Sequence, residues 1–354
     1  NKVILTRSSM VDGELTTPSR WLVKIEAFLG SFGLSLPDSE IKNWERKDNA
    51  IDKSKTIRPP SPCPPLEARP RIFSATIIEK LIRDPYSVYA SKILGIKRLE
   101  DVDVSAKDYI RGKLFHKSID LYLQDFSEIM NTKESLETLM NYGKLAFDSE
   151  FGTPKIRPFW WYQFSRMAQW FVQNEFERRK HTKLVGREIT GQLSLNSAAG
   201  SFKINARADR IDRFNEGGLA IVDYKTGKVP ELKDMQIGIS PQLPIEALIA
   251  SLGGFLAVES EKIIELSYWS LNGRGDGGET INRMNDKESI GKLIENTKSG
   301  LSDLISSFDN QSMPYLSKPR PEYHQWISDY DHLAREQEWS VGFLLKEDKD
   351  SEAN

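Results

Sequence analysis

Apolar and polar side chains largely alternate from residue 202 to 213, in the run FKINARADRIDR. A period of two marks a half-buried strand. Asn215, Glu216, Gly217 and Gly218 then supply a turn, and Leu219 to Lys225 reads as a second, more apolar strand. Asp223 and Lys225 interrupt that apolar run. On a strand they share one face, with Tyr224 opposite. If the two strands pair, Asp209 comes close to Asp223, and two carboxylates and one ammonium converge at a sheet edge. The preceding run KLVGREITGQLSL (183–195) also alternates and predicts a strand leading into the pair.

Around these strands the spacing turns helical. In TTPSRWLVKIEAFL a capped helix is expected, with its apolar face at Trp21, Leu22, Ile25, Phe28 and Leu29, after a short strand at Val3–Leu5. Ser74 is placed to cap a helix over 75–94, which Pro85 breaks or restarts. Residues 106–123 make an amphipathic helix with Ile110, Leu114, Ile119 and Leu121 or Leu123 on its buried side, and another helix follows over 133–151. Residues 155–180 carry Trp160, Trp161, Phe164, Met167, Trp170 and Phe171 at helical spacing, which predicts a core helix rather than a base-stacking surface. A helix bearing Gln242, Leu243, Ile245, Leu248 and Ile249, a strand over 263–273 and a helix over 288–308 complete the body.

Charge and composition narrow the picture. The 354 residues carry 49 basic and 51 acidic side chains, so any contact with nucleic acid has to use a local patch. The single cysteine, Cys63, excludes an intrachain disulfide and a four-cysteine iron–sulfur cluster, and fits a reducing cytoplasm. No apolar run is long enough to span a membrane and no signal-peptide pattern occurs. Asn1 rather than Met opens the chain, which points to a piece of something longer. Prolines 59, 60, 62, 64, 65 and 70 predict a stiff linker over 58–72 between a small unit, 1–57, and a large one, 73–345. The charged end, 346–354, reads as disordered.

The candidate chemistry rests on Asp209, Asp223 and Lys225. Two acidic oxygen ligands suit Mg²⁺, which keeps several waters and takes one or two protein carboxylates. A lysine beside them can orient or deprotonate a water, or stabilise charge on a phosphate. A plainer reading stands beside this. Asp209 shares its face with Lys203, Asn205 and Arg207, which could simply be a wet face. Asp223 breaks a run that reads as buried, so it needs a partner, and Lys225 could be that partner in a structural ion pair. Glu188 is a secondary candidate from the preceding strand, equally readable as a solvated residue.

The run ARADRID, a turn, then IVDYKTG resembles the RecB-like branch of the PD-(D/E)XK nucleases. That resemblance implies an α/β fold: a restriction-endonuclease-like core with a central mixed sheet flanked by helices, plus extra helices. It implies metal ligation by Asp209, Asp223 and the Tyr224 carbonyl, with Lys225 catalytic. The run PQLPIEALIA supplies the expected glutamine, Gln242, and RGKLFHKSID supplies Gly112 and the metal-binding histidine, His116. An imidazole ligand suits Mn²⁺ better than Mg²⁺, so Mn²⁺ is expected to substitute. Relatives often carry a tyrosine four residues after the glutamine. Glu246 stands there instead, which gives the site another acid. Where several relatives complete an iron–sulfur cluster, this chain has no cysteine, and Tyr315, Tyr323, Trp326, Tyr330, His332 and Trp339 are expected to staple that region.

At the start, ILTRS resembles the last motif of superfamily-one helicase domains, with Arg7 in the phosphate-contacting position. No G-x-x-x-x-G-K-[ST] occurs, so 1–57 reads as a helicase-domain remnant packed on the next domain rather than an ATP site. The opening and the ending DYDHLAREQEW together resemble the AddB-type subunits of bacterial double-strand-break-processing helicase–nucleases. The resemblance implies a Mg²⁺-dependent exonuclease module that cuts single strands from unwound DNA ends beside an AddA-type partner, on the strand whose 5′ end enters. The alternative is a non-catalytic DNA-binding or AddA-interaction scaffold.

Overall fold

The structure is a computed structural model and describes residues 7–8, 10–11, 14–36, 57–99, 108–126, 131–150, 157–323 and 328–340. The chain divides into two compact units, 1–57 and 58–354. In the first, β1 (Met10–Val11) pairs antiparallel with β2 (Glu14–Leu15), and α1 (Arg20–Ser31) follows. Ser19 caps α1 by accepting from the Trp21 amide, as the TTPS run predicts. Trp21, Ile25 and Phe28 of its apolar face are exposed. Arg7 hydrogen-bonds Thr16. The strand expected at Val3–Leu5 lies outside the described residues, as do Trp326 and the tail from Lys346.

The large unit is a mixed α/β sandwich around a six-stranded sheet. Its elements run β3 (Ile72–Ser74), α2 (Ala75–Arg83), α3 (Pro85–Val88), α4 (Asp108–Asp125), α5 (Thr132–Glu150) and α6 (Arg157–Arg179). Then come β4 (Thr182–Ser197), β5 (Gly200–Phe214), β6 (Leu219–Lys225), α7 (Leu232–Gln236), α8 (Gln242–Ser251), β7 (Ile263–Ser270), β8 (Glu279–Met284) and α9 (Lys287–Asp309). Ser74 caps α2 through the Ile77 amide, and Pro85 opens α3 at the position where its missing N–H costs nothing.

Strand β5 organises the sheet. β4 runs antiparallel along its whole length, while β3 (parallel) and β6 (antiparallel) share its other edge. β6 pairs parallel with β7, which pairs antiparallel with β8. Gly217 and Gly218, at φ 89° and 95°, make the β5–β6 turn that side chains with a Cβ would resist.

Alternation along β6 assigns the two faces. Leu219 and Ile221 join α2, α8 and α9 in one core; Val222 and Tyr224 join α4, α5 and α6 in the other. Phe164, Met167 and Phe171 of α6 are buried, in line with the core-helix reading. Burying large apolar side chains at roughly 2 kcal/mol each on both faces fixes β6 as the central strand.

The proline-rich stretch makes contacts with the end of α9. Pro62 O accepts from the Tyr315 amide at 2.9 Å, and the buried Arg69 guanidinium donates to Pro64, Phe308, Asn310, Gln311 and Met313 carbonyls. A cation on those carbonyls closes the C-terminus of α9. In the C-terminal region Tyr315 is the aromatic that reaches the core, edge-on to Phe308 at 4.9 Å; Tyr323, Tyr330 and Trp339 stay partly exposed and His332 is exposed.

Candidate active site

Strands β4, β5 and β6 and helix α4 bring the candidate residues to one end of the sheet. Asp209 lies one step beyond the Arg210–Val222 pair of the β5–β6 ladder, level with Asp223. The turn at Gly217–Gly218 sets that register, as the hairpin reading requires. Asp209 Oδ2 accepts from the Tyr224 amide at 2.8 Å. Helix α4 packs here because residue 112 is glycine: a Cβ there would stand 2.9 Å from Thr226 Oγ1. One turn on, His116 Nε2 is 3.0 Å from the Tyr224 carbonyl oxygen, and Nδ1 is 3.6 Å from Asp209 Oδ1 and 3.7 Å from Glu188 Oε1.

Glu188 thus enters the site proper. It is flanked by the Arg187–Arg210 and Ile189–Ala208 pairs, level with Asp209. Its φ is 45°, a left-handed backbone that costs a non-glycine residue on the order of 1 kcal/mol. A bulge between Leu184 and Gly186 sets this register. The exposed Arg207 guanidinium holds its other oxygen at 2.7 Å.

Asp223, on the neighbouring strand, is held from α8. Its Oδ1 accepts from Gln242 Nε2 at 2.7 Å and from Lys225 Nζ at 3.2 Å. Oδ2 lies 2.9 Å from the same ammonium but without hydrogen-bond alignment, and has no hydrogen bond. Lys225 also donates to Gln242 Oε1 at 3.2 Å, and Gln242 donates to Glu246 Oε1 at 3.1 Å. Glu246 Oε2 is buried with no hydrogen-bond partner.

Electrostatics couple the two halves. Burial pulls the His116 imidazole down, yet bonds to Asp209 and Glu188 and the charges of Asp209 and Asp223 carry it up to about 10. Burial raises Asp209, but His116, the Tyr224 amide and Lys225 outweigh it and leave the carboxyl below its usual value. Asp223 is pushed up to about 6, by burial first; Lys225 opposes the rise and Asp209 adds to it. Burial, then the Asp223 and Asp209 charges, raise Glu246 well above the carboxylate range. Lys225 would fall on burial, but Asp223, Asp209 and Glu246 hold it above an ordinary lysine.

Among the described residues, His116, Glu188 and Asp209 offer ligand atoms within 4.8 Å of one another. One imidazole and two carboxylates form a donor set suited to Mn²⁺ or Mg²⁺. Glu188, the secondary candidate, lies beside His116 and Asp209, while Asp223 faces Lys225 and Gln242. The Tyr224 carbonyl lies against His116.

Sequence reasoning missed a buried ionic layer beneath the site. Arg210 donates to both Asp212 oxygens at 2.9 and 2.8 Å and to Glu175, and Arg178 bridges Asp212 and Glu265. Arg210, Asp212 and Glu175 are fully buried. A signal was present: Arg210 and Asp212 share the strand face opposite Asp209, and Glu175 follows Phe171 by one helical turn.

A family model described as the PD-(D/E)XK nuclease superfamily matches residues 72–337. An uncharacterized protein of Rickettsia felis is 28% identical over 315 residues, covering 84% of this chain and 36% of that protein. Another, from Rickettsia conorii, is 30% identical over 270 residues, covering 74% and 31%. The B-type subunit of the ATP-dependent helicase/deoxyribonuclease from Streptococcus mutans is 26% identical over 269 residues, covering 70% and 22%. The chain therefore spans about a third or less of the length of these relatives. With the mixed sheet, the paired strands bearing Asp209 and Asp223, and a family match over three quarters of its length, the chain belongs to the PD-(D/E)XK nuclease superfamily.

Proposed function

We propose that this chain is the metal-dependent deoxyribonuclease module of an AddB-like protein, acting as an exonuclease on single strands unwound from DNA ends beside an AddA-like partner. The observation that carries the reading is the convergence of His116, Glu188 and Asp209 next to the Asp223–Lys225 pair on the adjoining strand. Likeness to the Streptococcus mutans helicase/deoxyribonuclease protein supports the setting.

His116, Glu188 and Asp209 would hold Mg²⁺ or Mn²⁺, with the Tyr224 carbonyl and Asp223 beside them. When bound, the ion supplies a Lewis acid for a phosphate oxygen and lowers the pKa of a ligated water. The chain's own residues do the rest. Lys225 is kept cationic by Asp223, so it stabilises charge on the scissile phosphate and orients the attacking water. Gln242 holds Lys225 and Asp223 from one amide, which fixes the ammonium relative to the carboxylates. Asp209, kept ionised, orients the Tyr224 peptide.

The test is release of nucleotides from single-stranded DNA with Mg²⁺ or Mn²⁺ by wild type and by Asp209→Ala. Wild type is expected to cleave, and the variant to lose at least about a hundredfold, as when a preorganised charge is deleted from a site. Equal activity in both would remove Asp209 from the mechanism. Metal-independent DNA binding without cleavage, even with the AddA-like partner supplied, would replace the nuclease by a scaffold.

A further inference from the structure

Helix α6 carries two large aromatic side chains that its packing leaves unused. Phe159 and Tyr162 are 62% and 58% exposed, although Trp160, Phe164 and Phe171 of the same helix are buried. Residues 159, 162 and 166 fall on one helix face. Arg166 places its guanidinium 5.9 Å from the Tyr162 ring centroid. It also hydrogen-bonds the Gly275 carbonyl in the loop after β7, and that loop presents the exposed Arg274.

Two connections tie this face to the candidate active site. Arg111 of α4 donates to Gln163 Oε1 at 3.1 Å and to the carbonyl of Thr226 at 3.3 Å, and Thr226 follows Lys225 directly. Tyr109, 67% exposed, shares the face of α4 that carries Gly112 and His116.

We infer that Phe159, Tyr162 and Tyr109, flanked by Arg166 and Arg274, form a stacking platform that takes the bases of single-stranded DNA and leads the strand to the His116 end of the sheet. The identity of the strand rests on the nuclease reading above. The chemistry favours a single strand for three reasons. Every base has a π face, so exposed rings bind without sequence preference. Guanidinium groups beside the rings complement phosphates. The platform is continuous with the site through α4 and the loop after β6. Duplex DNA buries its base faces and would leave the rings unused.

The test is fluorescence anisotropy of a labelled oligothymidine of about twelve nucleotides, in EDTA so that nothing is cut. Wild type, Tyr162→Ala, Phe159→Ala and Tyr162→Phe are compared, each with a circular dichroism spectrum. Each alanine variant should bind about tenfold more weakly, the loss of one stacked base, while Tyr162→Phe stays near wild type. An abasic oligonucleotide of equal length should bind wild type at least about tenfold more weakly than oligothymidine, and should not distinguish Tyr162→Ala from wild type. Wild type binding the abasic strand and oligothymidine alike would overturn the platform, whatever the variants do. Folded alanine variants with wild-type affinity would overturn it too, and would leave the aromatic face to a protein partner. Binding in EDTA is independent of cleavage: loss of the nuclease reading shows in the Asp209 comparison, loss of the platform shows here.

Discussion

Binding of a divalent cation at His116 should expel a proton, and that proton can be counted. Without an ion the imidazole is held up at about 10 from its usual 6.5, because its carboxylate neighbours outweigh burial. A ligating imidazole must be neutral, so the ion competes with this proton. From about pH 7 to about pH 9 each bound Mn²⁺ should release about one proton, and apparent affinity should rise about tenfold per pH unit. Asp223, at about 6, retains a proton below that pH and steepens the dependence there. Isothermal titration of Mn²⁺ in buffers of different ionisation heat reads the proton directly. His116→Gln should bind more weakly at high pH and lose most of the pH slope above about pH 7. The same shift has a stability consequence. A folded-state pKa above the unfolded value gives stabilisation that is full below 6.5 and fades as pH rises through about 10. The ion-free protein should therefore soften over that window, and Mn²⁺ should restore it. Wild type that takes up Mn²⁺ near pH 8 with no proton released, or a His116→Gln protein with an unchanged slope, would refute ligation by the imidazole.

Two further outcomes test the frame around the site. Arg210→Met should cost about 3–5 kcal/mol in urea unfolding, because it strands Glu175 and Asp212 as buried charges with fewer partners; a loss under about 1 kcal/mol would mean Arg178 and Arg179 suffice. Gly273→Ala should lower the melting temperature by several degrees, since φ is 68° and a Cβ would stand 2.2 Å from the Gln163 carbonyl oxygen. Its melting at the wild-type temperature would show that the loop can move off α6.

What the sequence made legible was local. The β5–β6 pair followed from alternation and from two glycines in the turn, and the turn alone puts Asp209 level with Asp223. Helix α4 was readable from its apolar spacing, but nothing in that spacing says that His116 meets Tyr224; that contact follows from the missing Cβ at Gly112. Glu188 was the harder case. A glutamate on an alternating strand reads as solvated, and its place beside Asp209 depends on a bulge near Val185 and on a φ of 45° that glutamate rarely adopts. The contacts of the proline-rich stretch are nonlocal too. Composition reports stiffness, whereas its docking depends on Arg69 meeting the last carbonyls of α9, some 240 residues away.

The same nonlocality explains why the acids were seen and their arrangement was not. Asp223 stood out because it interrupts an apolar run, and a buried charge needs compensation. Lys225 supplies part of it from the same strand. The rest comes from α8, where Gln242 uses one amide on both Asp223 and Lys225, and Glu246 adds a further carboxyl that is pushed toward neutrality. On the neighbouring strands, Glu188 and Asp209 face a single imidazole, and Arg207 reaches Glu188 from solvent. Asp223 and Glu246, both pushed up by burial and by neighbouring carboxylates, are retained at a cost in stability. Apolar burial against both faces of the sheet offsets that cost, and it lies outside the reach of local pattern. A divalent ion accepted by His116, Glu188 and Asp209 would add positive charge near Asp223. The arrangement that sequence could not display is therefore the one that makes ion binding and folding stability two readings of the same charges.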